Sequence, residues 1–166
     1  KIEKVANKTN KQKGILLIEE TKKLFSIEWN DFTAYVMNLT AASTGLRRGE
    51  LLALQIKNFH GDYIDVEKSY ESRMKQMNVT TKNGRSRRVI IPVMVRAALE
   101  RLIDLNLYNK PDSFIFYSDS PDRPIHGEYV NACLYRAMSA IGIDEDERKE
   151  RVLTFHSWRA AFNSWL

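Results

Sequence analysis

Midway along this chain the apolar residues stop recurring every three to four positions and begin to recur every two. Ile64, Val66, Lys68 and Tyr70 alternate with Asp65, Glu67 and Ser69, which is the pattern of a strand with one covered face. Residues 76–82 and 85–91 then flank Asn83-Gly84. An Asn-Gly pair between two strand-like runs is the strongest short-range hairpin signal, because both central residues of the tight turn need positive φ. Three antiparallel strands are therefore expected, with Lys82 and Arg85 at the hairpin tip. Helical spacing governs the rest, so the expected fold class is α+β and mainly α-helical, with helices packed on a small three-stranded antiparallel sheet.

Leu17, Thr21, Leu24 and Phe25 recur at helical spacing, and Glu19 and Glu20 suit the positive end of a first helix over 18–25. Phe32, Val36, Leu39 and Ser43 mark one face of a second helix, with Asp31 as its cap, running into Thr44 and Gly45. A short third helix over 50–55 follows Gly49. Pro92 suits a first helical position ahead of Val95, Leu99, Leu102 and Ile103. Residues 114–117 read as a brief strand or a packed loop. A strong amphipathic helix over 128–141 turns Val130, Cys133, Leu134, Ala137 and Ile141 inward and stops at Gly142. The mixed-charge run 144–151 reads as an exposed connection, and Thr154 as the cap of a last helix containing residues 155–162.

A chain of 166 residues with 43% hydrophobic content can bury the core of one ordinary domain, here 14–166. Residues 1–13 carry five lysines against the single acid Glu3 and read as a basic linker or tail. The lone Cys133 excludes an internal disulfide and any multi-cysteine metal site. His60 and His126 have no ligand-spaced Cys or carboxylate neighbours and read as structural or surface residues. No apolar run approaches a membrane span and no signal-peptide pattern is present, which points to a cytoplasmic protein with no membrane partner.

The net charge of +5 is modest, and its distribution tells more. Residues 72–99 contain no acid, yet Arg73, Lys75, Lys82, Arg85, Arg87, Arg88 and Arg96 all fall there. Such a stretch is either a solvated face or the electrostatic footprint of a nucleic-acid backbone. In Thr44-Gly45-Leu46-Arg47-Arg48-Gly49-Glu50-Leu51, an arginine pair stands between two glycines just before a new apolar run. Guanidinium forks suit oxyanions, although taken alone these two arginines read as solvated residues at a helix junction. His156 and Arg159 are three apart on the last helix, so they share a face near its positive end.

The order of these motifs resembles the catalytic domain of the tyrosine recombinases, the phage-integrase family. The resemblance rests on Thr-Gly-Leu-Arg-Arg-Gly-Glu-Leu at 44–51, Thr-Lys-Asn-Gly-Arg-Ser-Arg-Arg-Val-Ile-Ile-Pro at 81–92 and His-Ser-Trp-Arg at 156–159. It implies a DNA breaking-rejoining catalytic fold in which Arg47 and Arg159 are the catalytic arginines, Lys82 the hairpin lysine and His156 the catalytic histidine. Glu50 matches an acidic position that supports the first arginine. Arg73, Lys75, Arg85, Arg87 and Arg88 are the candidate DNA-backbone contacts. Trp158 and Ala160 depart from the residues the family often has, without removing a charged group.

The family chemistry implied is attack of a tyrosine hydroxyl on a DNA phosphodiester, with no cofactor and no metal. The nucleophilic tyrosine belongs beyond the His-x-x-Arg motif, whereas all seven tyrosines here precede His156. The expectation is thus a truncated catalytic domain from a bacterial or phage-encoded recombinase. The parent would bind double-stranded DNA, usually as a tetramer, and the fragment would be monomeric and inactive by itself. Two other readings fit the same residues: a non-catalytic DNA- or partner-binding remnant, and a type IB topoisomerase-like enzyme.

Overall fold

The computed structural model describes residues 14–78, 81 and 84–166. The expected linker over 1–13, and Lys82 and Asn83 of the expected hairpin, lie outside the described residues. Seven helices and four short strands are described: α1 (Ile18–Ser26), α2 (Phe32–Thr44), α3 (Arg48–Leu52), β1 (Tyr63–Val66), β2 (Ser69–Glu71), β3 (Gln76–Asn78), β4 (Arg87–Ile90), α4 (Val93–Asp104), α5 (Gly127–Ala140), α6 (Glu145–Glu150) and α7 (Ser157–Trp165). A single 3-10 turn, Ile56–Asn58, precedes β1.

The molecule is built around α2. Every residue from Val36 to Ala42 is buried, so this helix is apolar on all sides and packs against α3, α4, α5 and α7. Its start is set as expected, because the Asp31 carboxylate accepts a hydrogen bond from the Ala34 N–H at 2.7 Å. At its end Gly45 takes φ 66° and donates its N–H to the Ala41 carbonyl at 2.8 Å. A side chain there would be doubly unwelcome, because a Cβ would also stand 2.6 Å from the Phe162 ring. Polar residues inside α2 are satisfied: Thr40 bonds back to the Val36 carbonyl, and Asn38 bonds to the Ala34 carbonyl while accepting from the Trp158 indole at 2.8 Å. The last of these bonds ties α7 to α2 inside the core.

The small antiparallel sheet is present, but divided differently from the expectation. β1 pairs with β4 and β2 pairs with β3, giving two two-stranded ladders in place of three continuous strands. Glu67 and Lys68 alone separate β1 from β2, whereas residues 79–86 separate β3 from β4. The two ladders therefore do not share one register. The Gly84 N–H donates to the Thr81 carbonyl at 2.8 Å, and the Thr81 hydroxyl bonds both backbone groups of Arg85.

Other boundaries shift for identifiable reasons. α3 begins two residues earlier than expected, because Glu50 reaches back to the Arg47 backbone N–H at 2.9 Å and closes the first turn from there. Residues 114–117 are a packed loop held by isolated bridges, Gln55 with Phe114 and Tyr117 with Pro124. The run 144–151 is largely exposed, as expected, but is helical: Asp144 caps α6 through the Glu147 N–H at 2.8 Å, and Arg151 at its end is buried. The Arg151 guanidinium forks onto Glu20 with two bonds of 2.8 Å, joining α6 to α1. α7 begins at Ser157, not Phe155, and Thr154 does not cap it with its side chain; the Thr154 N–H instead donates to the Ser157 hydroxyl at 3.0 Å.

Candidate functional site

Four parts of the fold enclose a cleft of about 600 Å³: the start of α3, the end of β2 with the following turn, one face of α5, and the turn leading into α7. Arg47, His156 and Arg159 all line it. Arg47 immediately precedes α3, and His156 occupies the cap position of α7 with its side chain exposed. Arg159 lies on the first turn of α7, where the Asn38–Trp158 hydrogen bond holds the helix against α2. One Arg159 nitrogen donates to the Gly45 carbonyl at 2.9 Å, so the residue that ends α2 also aims this guanidinium.

Behind the cleft sits Glu50, whose side chain is 1% exposed. It receives four hydrogen bonds: from the Arg47 backbone at 2.9 Å, from the Arg47 guanidinium at 3.3 Å, and from both Nη atoms of Arg87 at 3.0 and 2.8 Å. Burial by itself would raise its pKa; the Arg87 hydrogen bonds, the Arg47 backbone bond and the two positive charges outweigh that and hold the carboxyl below its ordinary value. Arg159 is shifted down, first by burial and then by the charge of Arg47, with Glu50 opposing and Arg87 adding to the effect. Two guanidinium groups thus bond one buried carboxylate, and a third, that of Arg159, lies within reach of its charge. The cluster carries an excess of positive charge at the cleft, and a bound anion would relieve it.

The remaining sequence-derived candidates are spread more widely. Arg73 lines the same cleft, and Lys75, with φ 51° in the β2–β3 turn, lines a smaller neighbouring one. Arg85 is exposed just ahead of β4. Arg87 and Arg88 are adjacent yet face opposite ways: Arg87 turns to Glu50, while Arg88 lies 3.8 Å over the Tyr63 ring and 3.5 Å from Asp65. Lys82 is outside the described residues.

The sequence did not point to Arg48, Asn131 or Tyr135 as part of this cleft. Arg48 lines it 3.6 Å from Glu128. Glu128, Asn131 and Tyr135 recur at helical spacing, a polar face of α5 that could have been read beside its apolar one. Among the described residues, no group of three or more His, Cys, Asp or Glu side chains is placed to hold a metal ion. No helix among them is long and apolar enough to cross a membrane.

Fold and cleft together define a helical domain that brings two arginines and a histidine to one cleft. The chain belongs to the phage integrase family, whose model matches residues 15–166. No curated protein matches it in direct sequence comparison. Among solved structures, the Tn1549 transposon integrase in complex with transposon right end DNA is similar at a TM-score of 0.73 and 18% identity, over 92% of this chain and 52% of that one. A complex of the same integrase with a circular intermediate DNA gives a TM-score of 0.74 at 18% identity, over 98% of this chain and 55% of the other. XerA recombinase is similar at 0.64 and 24% identity, over 89% and 48%. This chain therefore spans about half the length of the solved chains it resembles.

Proposed function

We propose that this chain is the phosphate-binding portion of a site-specific DNA recombinase or integrase acting on double-stranded DNA. The observation that carries the reading is the convergence of Arg47, His156 and Arg159, from separate stretches of sequence, on one cleft backed by the buried Glu50. A phosphodiester gathers charge on its non-bridging oxygens in the transition state of transfer, and Arg47 and Arg159 would bind those oxygens. Lys82 would protonate the departing 5′-oxygen, and His156 would exchange a proton with the nucleophile or hold an oxygen. A tyrosine oxygen would bond to phosphorus as the bond to the 5′-oxygen breaks, leaving a 3′-phosphotyrosine and a free 5′-hydroxyl. Attack by a second 5′-hydroxyl would reverse the step, so bond energy stays in the covalent intermediate and no nucleotide cofactor is consumed.

None of the seven tyrosines in the sequence is proposed as that nucleophile. Tyr70 and Tyr135 line the cleft, but the Tyr70 ring packs edge-on against Phe114, and Arg148 lies 3.8 Å over the Tyr135 ring. The active assembly would be a tetramer on bacterial or phage DNA, with this portion monomeric in isolation. The test is to titrate the chain with labelled duplex across a salt series and to offer it a nicked duplex that traps covalent intermediates. Binding should weaken as salt rises, Arg47→Ala and Arg159→Ala should each weaken it on every sequence, and no adduct should form. Salt-independent binding, or unchanged binding in both variants, would overturn the reading; an adduct on Tyr70 or Tyr135 would overturn the assignment of the nucleophile.

A further inference from the structure

We propose that Arg87 is a positioning residue: by occupying both oxygens of Glu50 it keeps the Arg47 guanidinium available to the DNA phosphate. The inference deepens the function proposed above and rests on it. An ionised carboxylate offers about four acceptor sites on two oxygens. Arg87 bridges the two oxygens with the parallel pair of short bonds that a guanidinium fork makes best. The Arg47 backbone N–H takes a third site at 2.9 Å, and the Arg47 guanidinium keeps only a single bond of 3.3 Å to Oε1. Glu50 is therefore filled, and Arg47 is steadied along one edge while the rest of its fork stays uncommitted to the carboxylate.

Without Arg87 the balance changes. A carboxylate this deeply buried is costly to leave half-paired, and the next guanidinium within reach is that of Arg47, three residues away on the same turn. Arg47 would close on Glu50 with its whole fork and turn from the cleft. Arg87 thus acts through Glu50 upon Arg47, and needs no contact with DNA itself. Its place on β4, opposite Val66 in the ladder with β1, fixes its backbone, and its side chain crosses to α3 from there.

Two other roles for Arg87 give different outcomes: a direct bond to the DNA backbone, and simple bracing of the fold. The experiment compares the salt dependence of duplex binding for the wild-type chain, Arg87→Met, Arg87→Lys, Glu50→Gln/Arg87→Met and the control Arg47→Ala, with thermal melts to establish that each is folded. Arg87→Met should lower the slope of log K against log salt by about 0.9, the equivalent of one phosphate contact, because Arg47 is withdrawn. Replacing Glu50 by its neutral amide removes the charge that captures Arg47, so the double variant should regain most of that slope. Arg87→Lys, which supplies charge without the fork, should fall between. Wild-type binding by Arg87→Met would overturn the proposal, as would a double variant no better than the single one, which is the result expected of a direct contact or a brace. If Arg47→Ala itself leaves binding unchanged, the phosphate site fails and this inference falls with it. A loss in Arg47→Ala with no rescue by Glu50→Gln sinks the inference alone.

Discussion

Replacing Asn38 by leucine should destabilise the chain and loosen its cleft without touching any cation in it. Asn38 and Trp158 are both fully buried, and the indole N–H donates to the Asn38 side-chain oxygen at 2.8 Å. Leucine keeps asparagine's branched heavy-atom skeleton with bulkier methyl groups, so the change removes the acceptor without opening a cavity, and any overpacking adds to the cost. The Ala34 carbonyl, which also accepts from the Asn38 amide, keeps its place in the α2 ladder. What remains is a buried indole donor with no partner, which costs about 1–3 kcal/mol. For a chain of this size that is a fall in melting temperature of about 2–4 °C per kcal/mol. Trp158 stands between His156 and Arg159, so a less firmly seated α7 should also weaken DNA binding. Urea denaturation of Asn38→Leu, Trp158→Phe and the double variant measures the pair: the double should cost less than the sum of the singles by about 1 kcal/mol or more. If Asn38→Leu stays within about 0.5 kcal/mol of wild type, or the two changes are additive, the hydrogen bond does not hold α7 and the reasoning fails.

Gly45→Ala should cost at least about 1–2 kcal/mol from its left-handed backbone alone, and more because the new methyl group meets the Phe162 ring; urea denaturation reads the total, and a neutral substitution would refute the geometry. Glu50 sets an acid limb to stability. Its folded pKa is lowered, so the stabilisation it gives is fully present above the ordinary carboxylate value and is lost as pH falls through the lower folded value. Melting temperatures followed from neutral to acid pH should show that loss in the wild-type chain and a shallower one in Glu50→Gln.

Six of the seven described helices were legible in the sequence because their signals are local. Asp31 and Gly45 bracket α2 by a side-chain cap and a left-handed stop, both of which operate within a few residues of the helix end. The two motifs that line the cleft were legible for a similar reason: short backbone features place Arg47, and helical spacing puts His156 beside Arg159. Arg151 was misread, since nothing near it in sequence shows that Glu20, on the first helix, will bury it.

By itself, then, the sequence determined most of the helices and the family, because periodicity, capping and motif order are properties of neighbouring residues. Tertiary structure alone decided which face of β4 meets α3. Strand alternation sends Arg87 and Arg88 to opposite sides, but only pairing with β1 and packing against α3 determine which arginine reaches Glu50. It also decided that β1 takes β4 as its partner and leaves β2 to β3, since the register of a ladder depends on chain segments that meet only after folding. The charge balance of the cleft followed from the same events: Arg87 and Arg159, distant in sequence from Arg47 and Glu50, interact with that pair only once folding has brought them together and burial has removed intervening water.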